Sequence, residues 1–250
     1  MTQVLPSRSP LALELGIGLA VVAVAALLLQ AWLVDALLWP LASVVAYLAV
    51  AALVYRAWPD RSAFGWANRI TLLRSALVAL FVGALALPEA VAAHAAVLAL
   101  IALIAIVLDG VDGWVARVSG SVTAFGARFD MEIDALLILA LSVAVVMAGQ
   151  GGWWVLAIGL MRYLFLAVGT VIPWWRRDLP ESGWRKGVCV AQGLVLSAVL
   201  LPWLEPPTTQ LLLALALAAL GHSFLRDALW LVRNRPRRSE PEDLESRRTT

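Results

Sequence analysis

The chain reads as an all-α polytopic membrane bundle with about eight transmembrane helices, and three observations carry that expectation. Apolar residues make up 62% of its 250 residues and the mean hydropathy is +0.87, whereas soluble domains sit near about 45–50% apolar. Those apolar residues are mainly Ala, Leu and Val, which suits helices, not a barrel, as the spanning element. The charged residues are gathered into short stretches between long apolar segments.

Eight apolar segments reach the roughly 20 residues that a crossing takes. They lie near 11–34, 36–56, 70–88, 91–110, 127–148, 152–174, 187–204 and 208–231. The first is long, and no small-residue cleavage site follows it, so it is expected to remain as an anchor. Between the second and third, residues 57–67 mix polar and aromatic side chains, and Trp58, Phe64 and Trp66 suit a segment lying among headgroups. The third opens on Asn68-Arg-Ile-Thr71-Leu-Leu-Arg74. The fourth runs into, and the fifth emerges from, an acidic stretch between Asp109 and Asp134. The sixth carries Arg162 near its middle, and the seventh follows Trp184-Arg185-Lys186 and includes Gln192. After the eighth, residues 234–250 are charged and contain proline, the composition of a disordered tail. No internal repeat stands out.

The 19 basic residues are distributed by side of the membrane. Arg8 precedes the first segment, and the connections carrying Arg56, Arg61 and Arg69, then Arg117 and Arg128, then Arg176, Arg177, Arg185 and Lys186 alternate with connections that have none. Arg233, Arg235, Arg237 and Arg238 close the series. The alternation predicts cytoplasmic termini and a cytoplasmic acidic stretch. It reflects topology and gives no sign of nucleic-acid binding. Single Cys189 excludes an intramolecular disulfide and reads as a small buried residue, while His94 and His222 have no evident partner in sequence.

The acidic stretch reads Asp109-Gly-Val-Asp112-Gly113-Trp-Val-Ala116-Arg117, eight residues, then Gly126-Ala-Arg-Phe-Asp130-Met-Glu-Ile-Asp134. A carboxylate at membrane depth costs roughly 2.5–3.5 kcal/mol on insertion scales, so four together imply a compensating cation. On one helix, positions 109, 112, 113 and 116 share a face, and on the next, 126, 130 and 134 do so. The turn Ser119-Gly120-Ser121 would make the two helices antiparallel neighbours whose carboxylate pairs converge. Hard oxygen donors without His or Cys favour Mg²⁺ or Mn²⁺ over zinc, and two such ions suit chemistry at phosphorus. A blander reading makes Asp109 and Asp112 a solvated helix end. Another makes the acids a relay in a divalent-cation or proton-coupled transporter. Against the transporter, the sequence places no second acidic set on the outer half, and Gly113, Ala116 and Arg117 have no evident task in ion transfer.

The pattern Asp109-x-x-Asp112-Gly113-x-x-Ala116-Arg117, eight residues, Gly126-x-x-x-Asp130-x-x-x-Asp134 resembles the signature of the CDP-alcohol phosphatidyltransferases at all eight positions. Asn68, Thr71 and Arg74 resemble the Asn-x-x-Thr-x-x-Arg that opens that family's first core helix. The resemblance implies an N-terminal transmembrane hairpin at 1–57, a six-helix core at 58–233 and a cytoplasmic tail at 234–250. It implies two divalent metals held by Asp109, Asp112, Asp130 and Asp134, and a CDP moiety received by Thr71, Asp112, Gly113, Ala116 and Arg117. Asp134 would be the general base. The implied reaction moves a phosphatidyl group from CDP-diacylglycerol to an alcohol and releases CMP, in the inner membrane of a bacterium. Another CDP-alcohol donor is the alternative within the family. Dimerisation is usual in such enzymes, and no motif here marks a homodimer interface. Lys-Thr-x-x-Gln, associated with glycerophosphate acceptors, is not reproduced by Arg185, Lys186 and Gln192. Arg162 reads either as an anion site for the acceptor or a lipid phosphate, or as a partner of Glu132 or Asp134 that holds the fold. Arg128 either serves the same pocket or faces headgroups.

Overall fold

A computed structural model describes residues 9–33, 36–58, 65–118, 123–177, 179–180 and 182–235, with the side chains of residues 9, 10, 116 and 117 outside that description. The expectations for Arg8, Arg61, Phe64, the Ser119-Gly120-Ser121 turn, residues 236–250, and the side chains of Ala116 and Arg117 therefore lie outside the described residues.

The described residues form nine α-helices and no strand. They are α1 (Ser9–Leu33), α2 (Leu38–Ala57), α3 (Trp66–Ala84), α4 (Pro88–Ala93), α5 (Ala95–Val118), α6 (Ala124–Met147), α7 (Leu156–Val171), α8 (Gly183–Val199) and α9 (Thr208–Arg233). Eight of them match the eight expected segments. Six helical spans, those of α1, α2, α3, α5, α7 and α9, are long and apolar enough to cross a membrane. Helix α6 opens with Arg128, Asp130, Glu132 and Asp134, and α8 has only 17 residues with Arg185 and Lys186 near its start, so both fall short of that apolar standard. The short α4 was not anticipated. It starts at Pro88, whose fixed φ suits a first helical position, with Glu89 in its first turn.

Helix boundaries depart from the hydropathy edges in both directions: α3 and α5 extend into polar sequence, whereas α7 stops short of its apolar segment at both ends. Helix α3 begins four residues before the apolar segment because its polar opening is itself helical. Arg69 stacks over the Trp66 ring at 4.7 Å and its Nε donates to Glu14 Oε1 of α1 at 2.9 Å. Helix α5 likewise continues through the acidic stretch to Val118. Trp58, expected among headgroups, is instead buried edge-to-face against Phe125 of α6 at 4.9 Å between centroids, whereas Trp66 is exposed. Cys189 is exposed, not buried. The stripe of α8 that packs inward runs through Val188, Gln192, Leu196 and Val199, and Cys189 falls beside it.

Exposed apolar faces mark this as an integral membrane protein. Leu13, Ile17, Val24, Leu27 and Leu28 of α1, and Leu41, Val45, Leu48 and Leu53 of α2, point outward, the reverse of a soluble helix. Helix α3 lies at the centre. Of its span 67% is buried, against 22–39% in the other five apolar spans.

The hairpin α1–α2 packs on α3 through close backbone approach. Trp39 Nε1 donates to Leu80 O at 3.0 Å, and Tyr47 Oη donates to Leu15 O at 3.1 Å. Interhelical hydrogen bonds and close packing are how helices associate where lipid is as apolar as the side chains it meets. At Gly83, an added Cβ would lie 2.0 Å from Ser43 Oγ and 2.7 Å from Ser43 N. Gly83→Ala must therefore push α2 off α3. It is expected to destabilise the protein by about 1–3 kcal/mol, read as a lower melting temperature of the detergent-purified chain, and an unchanged melting temperature would contradict this packing.

Candidate active site

Three helices build the site, and α3 is the one between the other two. Thr71 and Arg74 stand three residues apart on one face of α3, with Asn68 one turn before them, and all three are buried. Helix α5 supplies Asp109 and Asp112 to that face, and α6 supplies Asp130 and Asp134. The expected picture of α5 and α6 as close neighbours holds only in part: each packs extensively on α3, and they touch one another little. Helix α8 packs against both α5 and α6.

The carboxylates converge on Arg74. Its Nη1 lies 2.9 Å from Asp109 Oδ1, 2.9 Å from Asp112 Oδ2 and 2.5 Å from Asp130 Oδ1, while its Nη2 donates to Asp134 Oδ1. The Arg74 side chain is fully buried, and its Nε has no hydrogen-bond partner among the described residues. Thr71 Oγ1 lies 3.0 Å from Asp112 Oδ2 and 3.1 Å from Ala67 O, so its one proton serves one of them at a time. Asp112 is the most enclosed of the four acids, with 4% side-chain exposure, and Asp134 the most open, at 37%.

Carboxylate oxygens of Asp109, Asp112 and Asp130 lie within 4.8 Å of one another, a spacing that can hold a metal ion. Asp134 is outside that trio and is reached through the other arm of Arg74. The donor set fits a hard divalent cation, because every candidate ligand is an oxygen. Charge points the same way. Four carboxylates face one guanidinium in a partly buried place, an excess of acid over base that a bound cation would offset.

Local sequence explains the placement of α6. Thr123 caps it by accepting from Gly126 N at 3.0 Å. Gly126 then lets the first turn approach α3: a Cβ there would lie 2.7 Å from Asn68 Oδ1. Gly113 follows Asp112 on α5 and is partly buried.

Other singled-out residues resolve individually. Arg162 Nη2 donates to Glu132 Oε1 at 2.6 Å, so Glu132 and not Asp134 is its partner, and both side chains are partly exposed. Arg128 and Lys186 are exposed. Arg185 pairs with Asp227 of α9 at 3.1 Å, an interaction that sequence reasoning missed. Gln192 is buried and donates to Ala216 O of α9 at 2.8 Å, which ties α8 to α9. His94 Nε2 lies 2.8 Å from Leu33 O at the end of α1. Arg74 appeared in the sequence only as the end of a motif. Its i, i+3 spacing puts it on the same helix face as Thr71, but its meeting with acids of two other helices had no local signal.

A family model described as CDP-alcohol phosphatidyltransferase matches residues 64–222. Two curated relatives, from the CDC 1551 / Oshkosh and ATCC 25618 / H37Rv strains of Mycobacterium tuberculosis, each carry the name "Probable phosphatidylglycerophosphate synthase". Each is 32% identical over 157 residues, covering 62% of this chain and 74% of the relative. No solved structure matches the chain significantly. The matched region begins just before α3 and ends within α9, so α1 and α2 lie outside it.

Proposed function

This chain belongs to the CDP-alcohol phosphatidyltransferase family, and from that premise we propose that it transfers the phosphatidyl group of CDP-diacylglycerol to an alcohol, with divalent metal and release of CMP. The observation that carries the reading is the convergence of acid oxygens from α5 and α6 within 4.8 Å, beside the more open Asp134. Two divalent ions, Mg²⁺ or Mn²⁺, would be held by Asp109, Asp112, Asp130 and Asp134, and when bound would offset the charge of the pyrophosphate and of the leaving phosphate. Thr71, Asp112, Gly113, Ala116 and Arg117 would receive the CDP moiety.

The acceptor oxygen attacks the phosphatidyl phosphorus as the bond from that phosphorus to the CMP oxygen breaks, and CMP leaves with the bonding pair. The acceptor proton passes to a carboxylate oxygen of Asp134. Its 37% exposure supports that role, since a base must be reachable by the incoming hydroxyl. Thr71 holds Asp112 in orientation. An apolar groove of about 590 Å³ lies between α8 and α9, lined by Val188, Val195, Leu212 and Leu215 among others.

The name of the mycobacterial relatives favours glycerol 3-phosphate as acceptor. Arg162, with its Nε buried and without a hydrogen-bond partner among the described residues, is the cation we assign to the acceptor phosphate. Arg162→Gln is then expected to raise KM for glycerol 3-phosphate by about tenfold with little change in kcat, the signature of lost ground-state binding. A fall in kcat at unchanged KM would contradict that assignment. The basic-loop alternation supports eight crossings with the site and both termini cytoplasmic. Residues 1–57 form an appended hairpin, 58–233 the catalytic core and 234–250 a tail, and a homodimer is the proposed assembly.

Membranes containing the protein, given labelled CDP-diacylglycerol and a panel of alcohols, test the reading. Metal-dependent CMP release matched by labelled phosphatidylglycerol phosphate is the expected result. Release from CDP-choline or CDP-ethanolamine alone would overturn the donor assignment, and no CMP release from any CDP-linked donor would overturn the reaction.

A further inference from the structure

Arg74 occupies the ground that a cation would need. Its Nη1 lies within 2.9 Å of oxygens from Asp109, Asp112 and Asp130, the same three acids that converge closely enough to hold an ion. Oxygen ligands surround Mg²⁺ at about 2.0–2.1 Å, so an ion taking these oxygens would press directly on that nitrogen. Strong charge repulsion prevents a guanidinium and a divalent ion from sharing the position. The side chain is fully buried, reaches acids of two other helices, and keeps an unpartnered Nε. One or two carboxylates would satisfy an arginine whose only task was to hold the fold, and this one meets four.

We infer that Arg74 is a tethered counter-cation that competes with the divalent ions of the site, and so sets how tightly they bind. It is a positioning residue, and the inference rests on the reading that these carboxylates hold metal. The guanidinium keeps the carboxylates of α5 and α6 assembled against their mutual repulsion. It also sets a threshold: a monovalent ion brings no more charge than the arginine it must dislodge, whereas a divalent ion does.

The test compares the full-length protein with Arg74→Gln and Arg74→Lys, each purified, stripped with EDTA and dialysed. Mn²⁺ binding is followed by loss of the free-ion electron paramagnetic resonance signal, and thermal stability is measured with and without Mn²⁺. Arg74→Gln is expected to bind Mn²⁺ about tenfold more tightly or better, a modest share of the repulsion removed. Its melting temperature in EDTA should fall below that of the unsubstituted protein, and saturating Mn²⁺ should close the gap. Arg74→Lys retains one charge without the fork, so its midpoint should shift the same way by less, and it decides the matter if Arg74→Gln does not fold. A residue that merely supported the site would do the opposite, and metal binding unchanged or weakened in a folded variant overturns the inference. If the unsubstituted protein binds Mn²⁺ while the variants do not bind it more tightly, only the role of Arg74 falls. If the unsubstituted protein binds no Mn²⁺, the metal reading falls and this inference with it.

Discussion

Asp134→Asn should lower turnover by roughly 10²–10⁴-fold, the range contributed by a positioned general base, while the protein stays folded. The asparagine amide oxygen can still accept from Arg74 Nη2, so the geometry around α3 survives. What disappears is a group able to take the acceptor proton. Because Asp134 lies outside the closely spaced trio, Mn²⁺ binding should suffer less than turnover. Labelled CMP release under saturating CDP-diacylglycerol and acceptor measures the effect. Full turnover in the variant would show that another group is the base.

Asp112→Asn should act differently. Asp112 is the most enclosed of the four acids, and both Thr71 and Arg74 are directed at it. Losing that carboxylate should weaken Mn²⁺ binding by more than about 100-fold, beyond the upper end seen when groups behind a metal ligand are changed, and CMP release should vanish with it. Stability should not follow activity. Arg74 retains three carboxylate partners, and the site's excess of acids over bases falls by one. The melting temperature in EDTA is therefore expected to be no lower than that of the unsubstituted protein, as when an active site stores strain that a substitution relieves. A large drop in melting temperature, together with intact metal binding, would make Asp112 a structural residue.

Much of the architecture was written in local pattern. Apolar length located eight of the nine described helices, because a membrane span needs continuous apolar sequence wherever it sits in the bundle. The i, i+3 and i, i+4 spacings put each carboxylate pair on one helix face, because that periodicity belongs to the helix itself. Tertiary contacts were not legible in the same way. Arg74 meets its acids across 35 to 60 residues of chain, and Arg69 meets Glu14 across 55. Nothing within one helical turn signals such pairs. The central place of α3 was hidden for a related reason: its opening carries Asn68, Arg69 and Arg74, so hydropathy marks it as the least apolar of the six qualifying spans, although those polar groups are what the neighbouring helices pack around. Trp58 and Cys189 differ from expectation because composition reports what a residue prefers, whereas tertiary placement decides what it gets: Trp58 follows the end of α2 and packs on Phe125, and Cys189 falls beside the inward stripe of α8.

Counting bound Mn²⁺ by electron paramagnetic resonance on the purified chain tests the central claim most directly, alongside Asp109→Asn of α5 and Asp130→Asn of α6. Two ions per chain are expected, with both substitutions disrupting the same binding event. Failure of the chain to take up Mn²⁺, or loss of binding on altering one helix while the other can be altered freely, would contradict a single site shared by α5 and α6 across α3.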